Sequence, residues 1–345
     1  MKTAARNFIR FIRRSGGQLA EERIHLFPFI GPLRAYDRHK WQQDMRASSN
    51  VALLAISQAI AFAAIAGLPV VYGVLSTAVA AIIAPLFASS RHTIMGPTNA
   101  TALMFFSFFA AQPEMADRAG EVVPLLVLLV GLFAVLGSLI RIADLMQYVS
   151  RSVLVGYITG AAVLIVSNQL VHLVGVAGEI DRHSTVSFVS QVIGFGRALH
   201  HADWVSLLIG SSTLLIYYLL MRWRPKWPVF AITLLLASAV FGSLIRFKVG
   251  PFAQADTFHT FSLSELMPRV PDLLRQGIFN DISALLGVAM AISFLASLEN
   301  TLMSKALASR TGDIPDVNQD MFSVGMANIA TAVAGGMPAS GSLTR

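Results

Sequence analysis

Long apolar blocks separated by short polar loops recur along the whole of the 345-residue chain. A spanning helix needs about 20 apolar residues, and the blocks predict spans near 51–67, 70–88, 121–140, 152–174, 204–221, 227–245, 281–304 and 319–334. The stretch Thr98–Ala111 is too short to cross. It follows an extended approach through Arg91 to Gly96, so it reads as a half helix starting near the midplane.

Two interruptions sit in matching places, Met95-Gly96-Pro97-Thr98-Asn99-Ala100 and Gly335-Gly336-Met337-Pro338-Ala339-Ser340. Gly and Pro free the backbone from the helical ladder, and hydrocarbon tolerates such freed amides only where they face protein or a watery cavity. Interrupted segments at equivalent positions of two halves point to a transporter's binding site. The pattern therefore predicts a protein that moves a solute, with a second half helix beginning near Ser340. Phe62 lies 35 residues before Pro97 and Glu299 lies 39 before Pro338, each followed by another span and then the break. Seven segments separate the two copies, so the second is inserted upside down.

Composition agrees with a membrane setting. The chain is 55% hydrophobic and 13% charged, with a mean hydropathy of +0.64, against about 25% charged residues in soluble domains. The absence of cysteine excludes disulfides and thiolate metal sites. The net charge of +7 does not imply nucleic acid as a partner, because it is concentrated: residues 1–50 hold ten Lys or Arg against four acids. Such an arm beside a first span reads as cytoplasmic anchoring to the lipid bilayer. Lys2 to Gln18, with Phe8, Ile9, Phe11 and Ile12 between Arg6, Arg10, Arg13 and Arg14, is either a helix lying on the inner leaflet or a frayed terminus. The first apolar run begins near Val51, too late for a signal peptide.

The loops Arg141 to Arg151, Arg222 to Lys226 and Lys305 to Arg310 carry seven basic residues and fall on the side of the N-terminus. The positive-inside rule then places that side in the cytoplasm of a multi-pass inner or plasma membrane protein. Gln112 to Glu121 faces out, and residues 185–199 read as an amphipathic helix on the outer surface.

A helix N-terminus carries roughly half a positive charge and several unpaired amides, so it attracts an anion without a buried cation. Thr98, Asn99 and Ala100 supply one such set, and Ser340, Gly341, Ser342, Leu343 and Thr344 a second, with Arg345 adding full charge. The plainer alternative is a pair of Pro-kinked helices capped by Ser and Thr. Glu299 stands deep in a span, and a lone intramembrane carboxylate is usually functional or paired. It suits a proton carrier better than a sodium site, which wants several convergent oxygens, whereas Met303 stands one turn on. A salt bridge to a basic residue such as Arg345 is its structural alternative. Gln58 and Phe62 lie one turn apart and can face one cavity, where Phe62 offers an anion the positive edge of its ring. These residues call for no metal, no cofactor and no catalytic group. An intramembrane serine hydrolase is the competing class, from Ala339-Ser340-Gly341 and histidines at 92, 172, 200 and 201, but no His-Glu-x-x-His is present.

The run Gln58-Ala59-Ile60-Ala61-Phe62 to Gly67-Leu68-Pro69, then Tyr72-Gly73, Ser89-Ser90-Arg91 and Gly96-Pro97-Thr98, resembles the sulfate permease (SulP) anion transporters, solute carrier family 26. Glu299, Asn318, Gly325, Asn328, Gly335-Gly336, Pro338, Gly341 and Arg345 look like the family's later blocks, and His25-Leu26-Phe27-Pro28, Tyr36 and Asp44 like its approach to the first span. The resemblance covers roughly residues 25–345. It implies an all-α polytopic fold of two inverted repeats of seven segments (UraA/SulP-like), a core domain moving like an elevator against a gate domain, and usually a homodimer.

On that pattern residues 1–50 are a cytoplasmic basic region, 51–145 first-repeat core, 146–250 gate, 251–280 an extracellular loop and 281–345 the start of the second repeat. The substrate implied is a small inorganic or organic anion, contacted by Gln58 and Phe62, by Thr98 to Ala100 and by Ser342 to Arg345, with Glu299 in coupling. A carrier and an anion channel of the same fold remain alternatives. Ser57 stands where the family commonly has Pro, and Phe62 where it commonly has Tyr. The family's remaining four spans and cytoplasmic STAS domain would follow Arg345, so a product confined to residues 1–345 is not expected to transport.

Overall fold

Each predicted span is occupied by a helix. The computed structural model describes residues 24–34, 36–148, 151–176, 188–224, 227, 229–254, 270–272, 274–312 and 314–342. Nine helices follow the predicted segments: α1 Arg38–Ile65, α2 Val70–Phe87, α3 Asn99–Ala111, α4 Ala119–Leu139, α5 Arg151–Leu173, α6 Trp204–Trp223, α7 Val229–Arg246, α8 Ile278–Thr311 and α9 Val317–Ala334. Among the described residues α1, α2, α4, α6 and α8 are long and apolar enough to cross a membrane. The amphipathic segment forms a helix over Phe188–Ala198. The basic stretch Lys2 to Gln18 lies outside the described residues.

Two boundaries differ from the sequence expectation. The first helix begins at Arg38, not near 51, because Asp37 caps it by accepting from the Lys40 amide at 2.8 Å. Its first turns are polar and exposed, so hydropathy gives no sign of them. At the other end, α8 runs beyond 304 to Thr311 and is stopped by Gly312, whose φ of 79° favours glycine.

The third difference concerns the second break. Ser340 does not start a helix; Ser340–Gly341 is a short strand, β2, paired antiparallel with Met95–Gly96, β1, in the register Met95↔Gly341 and Gly96↔Ser340. Both breaks are therefore extended at the point where they meet. The pairing gives the backbone groups of Met95–Gly96 and Ser340–Gly341 partners across the crossing, as an interruption inside an apolar medium requires.

α9 explains how the crossing is held. It packs on α4, α2 and α8, and its polar residues Asn318, Gln319, Asp320, Ser323, Asn328 and Thr331 are all buried. A helix covered by protein rather than lipid can carry them, and all but Thr331 make a side-chain hydrogen bond within the protein. Gly131 on α4 and Gly325 on α9 face each other, and a Cβ on Gly325 would lie 2.9 Å from the Gly131 carbonyl oxygen. Close backbone approach of this kind drives association between helices in a membrane. The main apolar cluster joins Tyr72, Ala102, Phe105, Val122, Leu126, Leu285, Ile292 and Met337, drawing on both repeats. α6 has no buried residues, and α5 to α7 touch the rest chiefly through α1 and α3.

Candidate functional site

Thr98 is the N-cap of α3 and accepts from the Thr101 amide at 3.3 Å, while its own amide donates to the Thr101 hydroxyl at 3.1 Å. This is a capping box with Thr in the place usually taken by Glu or Gln. It leaves the amides of Asn99 and Ala100, the first two helical positions, without an intrahelical acceptor. Asn99 is 7% exposed, and its carboxamide oxygen has no hydrogen-bond partner. Turning the amide over presents its N–H groups instead, so the side chain can serve an anion as donor.

Opposite, the second break is pinned before it reaches the crossing. Asn328 donates to the Ala339 carbonyl at 2.9 Å and accepts from the Ala339 amide at 2.8 Å. Ser76 donates to the Met337 carbonyl at 2.7 Å. The Ser342 amide donates to Ile94 O at 3.1 Å, extending the contact past β2. Gly341 has no room for a side chain, since a Cβ there would lie 2.7 Å from the Asn300 Cα.

Glu299, 5% exposed, sits where the two breaks cross. The Thr98 hydroxyl donates to its Oε2 at 2.9 Å and the Ser340 hydroxyl donates to the same oxygen at 2.6 Å. Ser340 Oγ also lies 3.1 Å from the Ala296 carbonyl. One carboxylate oxygen thus ties the first helix start, the second break and α8 together, and each hydroxyl spends its single proton on it.

The structure therefore brings Thr98, Asn99, Glu299, Ser340 and Ser342 into one neighbourhood, all buried, with Ala100 half-buried beside them. Gln58 and Phe62 are half-buried on α1, and Phe62 packs against the cluster that contains Ala102 and Met337. Leu343, Thr344 and Arg345 lie outside the described residues. Two anchors escaped the sequence reading, Ser76 and the pairing of Asn328 with Ala339. A signal existed for each, a polar side chain in an otherwise apolar span, but its partner is a backbone atom of another segment.

An all-α polytopic fold in which two interrupted segments pair beside a central buried carboxylate has the inverted-repeat architecture of a transporter fold. The chain belongs to the sulfate permease family, whose profile matches residues 41–345. It is 30% identical to a probable sulfate transporter of Mycobacterium tuberculosis over 326 residues, covering 92% of this chain and 55% of that one. It is 27% identical to the chloroplastic sulfate transporter 4.1 of Arabidopsis thaliana, over 93% of this chain and 46% of that one. The chain thus spans about half the length of these curated relatives.

Among solved structures, the murine solute carrier 26 family member A9 anion transporter in the inward-facing state superposes with a TM-score of 0.75 at 19% identity, covering 92% of this chain and 54% of that one. The transmembrane domain of the cyanobacterium bicarbonate transporter BicA gives a TM-score of 0.69 at 18% identity, covering 89% and 75%. Both show the fold. The family is one of transporters, not enzymes, and the hydrolase reading of Ser340 is set aside: its hydroxyl faces a carboxylate, not a histidine.

Proposed function

We propose that this chain carries the anion-binding crossing of a secondary active transporter, which takes a sulfate- or bicarbonate-type inorganic anion or a dicarboxylate by elevator-type alternating access. The anion would sit against the open amides of Asn99 and Ala100 and the Asn99 carboxamide, facing the chain from Ser342 through Leu343 and Thr344 to Arg345, with Gln58 and Phe62 completing the wall. Core segments would move against α5 to α7 as the gate. The protein would work as a homodimer in the inner or plasma membrane, with its N-terminus in the cytoplasm.

One observation supports this reading above the others: Glu299 receives hydroxyls from both breaks on one oxygen. A buried carboxylate beside a bound anion repels it, and a proton on Glu299 removes that repulsion. The same proton weakens the bonds that the Thr98 and Ser340 hydroxyls donate to this carboxyl, so proton and anion would act on one set of bonds. Proton-coupled uptake follows from that arrangement.

The experiment is thermal unfolding of the full reading frame that encodes this chain, in a panel of sulfate, bicarbonate, chloride, nitrate and a dicarboxylate. At least one anion is expected to raise the melting temperature, with the rise lost in Arg345→Ala and reduced in Ser340→Ala. An undiminished response in both variants would remove the crossing from the binding site.

A further inference from the structure

A second buried carboxylate lies outside the crossing and has no part in the chemistry above. Asp320, in the first turn of α9, is fully buried. Its Oδ1 accepts from the amides of Ser89 at 2.9 Å and Ser90 at 2.8 Å, and its Oδ2 accepts from the Ser304 hydroxyl of α8 at 2.6 Å. Its carbonyl receives the Asn300 side chain at 3.3 Å. The Ser89 hydroxyl in turn accepts from the Asp316 amide at 3.0 Å.

Ser89 and Ser90 open the linker from α2 to β1. Thr93, further along it, lies 2.8 Å from the Ser90 hydroxyl and 3.3 Å from that of Ser304. Ile94, at its far end, accepts the Ser342 amide. The linker is thus held at its start by α8 and α9 and at its end by the second break. Four residues separate Ser90 from Met95, and Thr93 among them bonds back to Ser90 and Ser304, so a shift at the clamp passes to β1 and to the helix start at Thr98.

A buried carboxylate that makes three acceptor bonds is costly to replace, because removing it orphans two amides and a hydroxyl at once. A neutral Ser or Asn elsewhere would suffice to cap a loop. We propose that Asp320 is a positioning residue for the candidate anion site: it clamps the Ser89–Ser90 turn to α8 and α9 and so sets where the first broken helix begins.

The consequence for anion affinity rests on the transport reading above, whereas the clamp itself does not. The test uses the full reading frame with Asp320→Ala, which removes all three acceptor bonds, and Asp320→Asn, which keeps an oxygen for the two amides. Hydrogen exchange of peptides covering residues 88–96 is expected to quicken about tenfold in Asp320→Ala and to recover in Asp320→Asn, while α4 peptides keep their protection. In liposomes the half-saturating sulfate concentration is expected to rise about fivefold in Asp320→Ala at an unchanged maximal rate, with Asp320→Asn close to wild type.

Unchanged exchange at 88–96 would overturn the clamp. Quickened exchange with an unchanged half-saturating concentration would leave Asp320 a purely structural residue and overturn its positioning role. If Asp320→Ala does not fold, Ser304→Ala, which removes one of the three bonds, is expected to show the same two effects at smaller size, and their absence there would count equally against the proposal. A wild-type protein that takes up no sulfate and is stabilised by none of the panel would remove the transport reading and the affinity claim with it, leaving the clamp to the exchange data.

Discussion

At the scale of single residues, Glu299 concentrates the most chemistry into one atom. Two hydroxyls, from Thr98 and Ser340, donate to Oε2, so a proton on either carboxyl oxygen weakens both bonds by removing the charge they point at. Glu299→Gln fixes a neutral group of the same shape. In proteoliposomes of the full reading frame this variant is expected to bind sulfate as before but to lose the acceleration of uptake by an inward proton gradient. A gradient response equal to wild type, or uptake that follows sodium instead, would assign coupling elsewhere. Glu299 was legible in the sequence because a charge inside an apolar run is conspicuous. Asp320 was not, and Asn328 was visible only as part of a family block without its role, although each is as buried. Their partners are the Ser89, Ser90 and Ala339 amides, and no spacing in the chain reveals which distant backbone a side chain will meet.

At the scale of elements, helix positions followed from apolar block length, and helix ends followed from capping. The start of α1 shows the division: Arg38 to Ser49 is polar and exposed, so only the Asp37 cap marks it. The cap of α6 can be tested directly. Asp203 accepts from the amides of Val205 at 3.1 Å and Ser206 at 2.9 Å and from the Ser206 hydroxyl at 2.6 Å. The Ser206 hydroxyl, above all, holds its carboxyl below the ordinary 3.8, with the two amides acting in the same direction. A carboxylate whose folded pKa is depressed stabilises fully above its unfolded value, and the contribution disappears as pH falls through the folded one. Asp203→Ala is expected to cost about 1 kcal/mol near neutrality. Thermal unfolding against pH should show the gap between variant and wild type closing in acid. A gap that is constant with pH would mean that the carboxylate form is not what caps the helix.

At the scale of the whole molecule, two segments whose register partners lie 246 and 244 residues apart, Met95↔Gly341 and Gly96↔Ser340, are joined into one object. The two breaks announced themselves through Gly and Pro, but the strand pairing did not, because two residues are too few to show alternation. Ser340 is a strand residue and not the expected helix start for the same reason: the chain there is extended and paired with β1. Directly opposed residues in an antiparallel pair have Cα atoms about 4.5–5.5 Å apart, inside the window of about 4.4–6.8 Å that a disulfide spans. The chain has no native cysteine to compete. The double variant Gly96→Cys with Ser340→Cys is therefore expected to cross-link on mild oxidation, read as a mobility shift reversed by reductant, and failure to do so would place the breaks apart.

The central claim is that an anion rests on the amides at the start of α3, where the two breaks cross. Ala100 is half-buried there, and Ala100→Cys gives the otherwise cysteine-free chain a single reporter thiol. The measurement is the rate at which a small thiol reagent modifies that cysteine in the full reading frame, with and without saturating sulfate or whichever panel anion stabilises best. The expected result is modification slowed about tenfold by the anion and unaffected by it when Glu299 is intact but the Asn99 and Arg345 donors are replaced by Ala. Equal rates with and without every anion of the panel would contradict a site at the crossing.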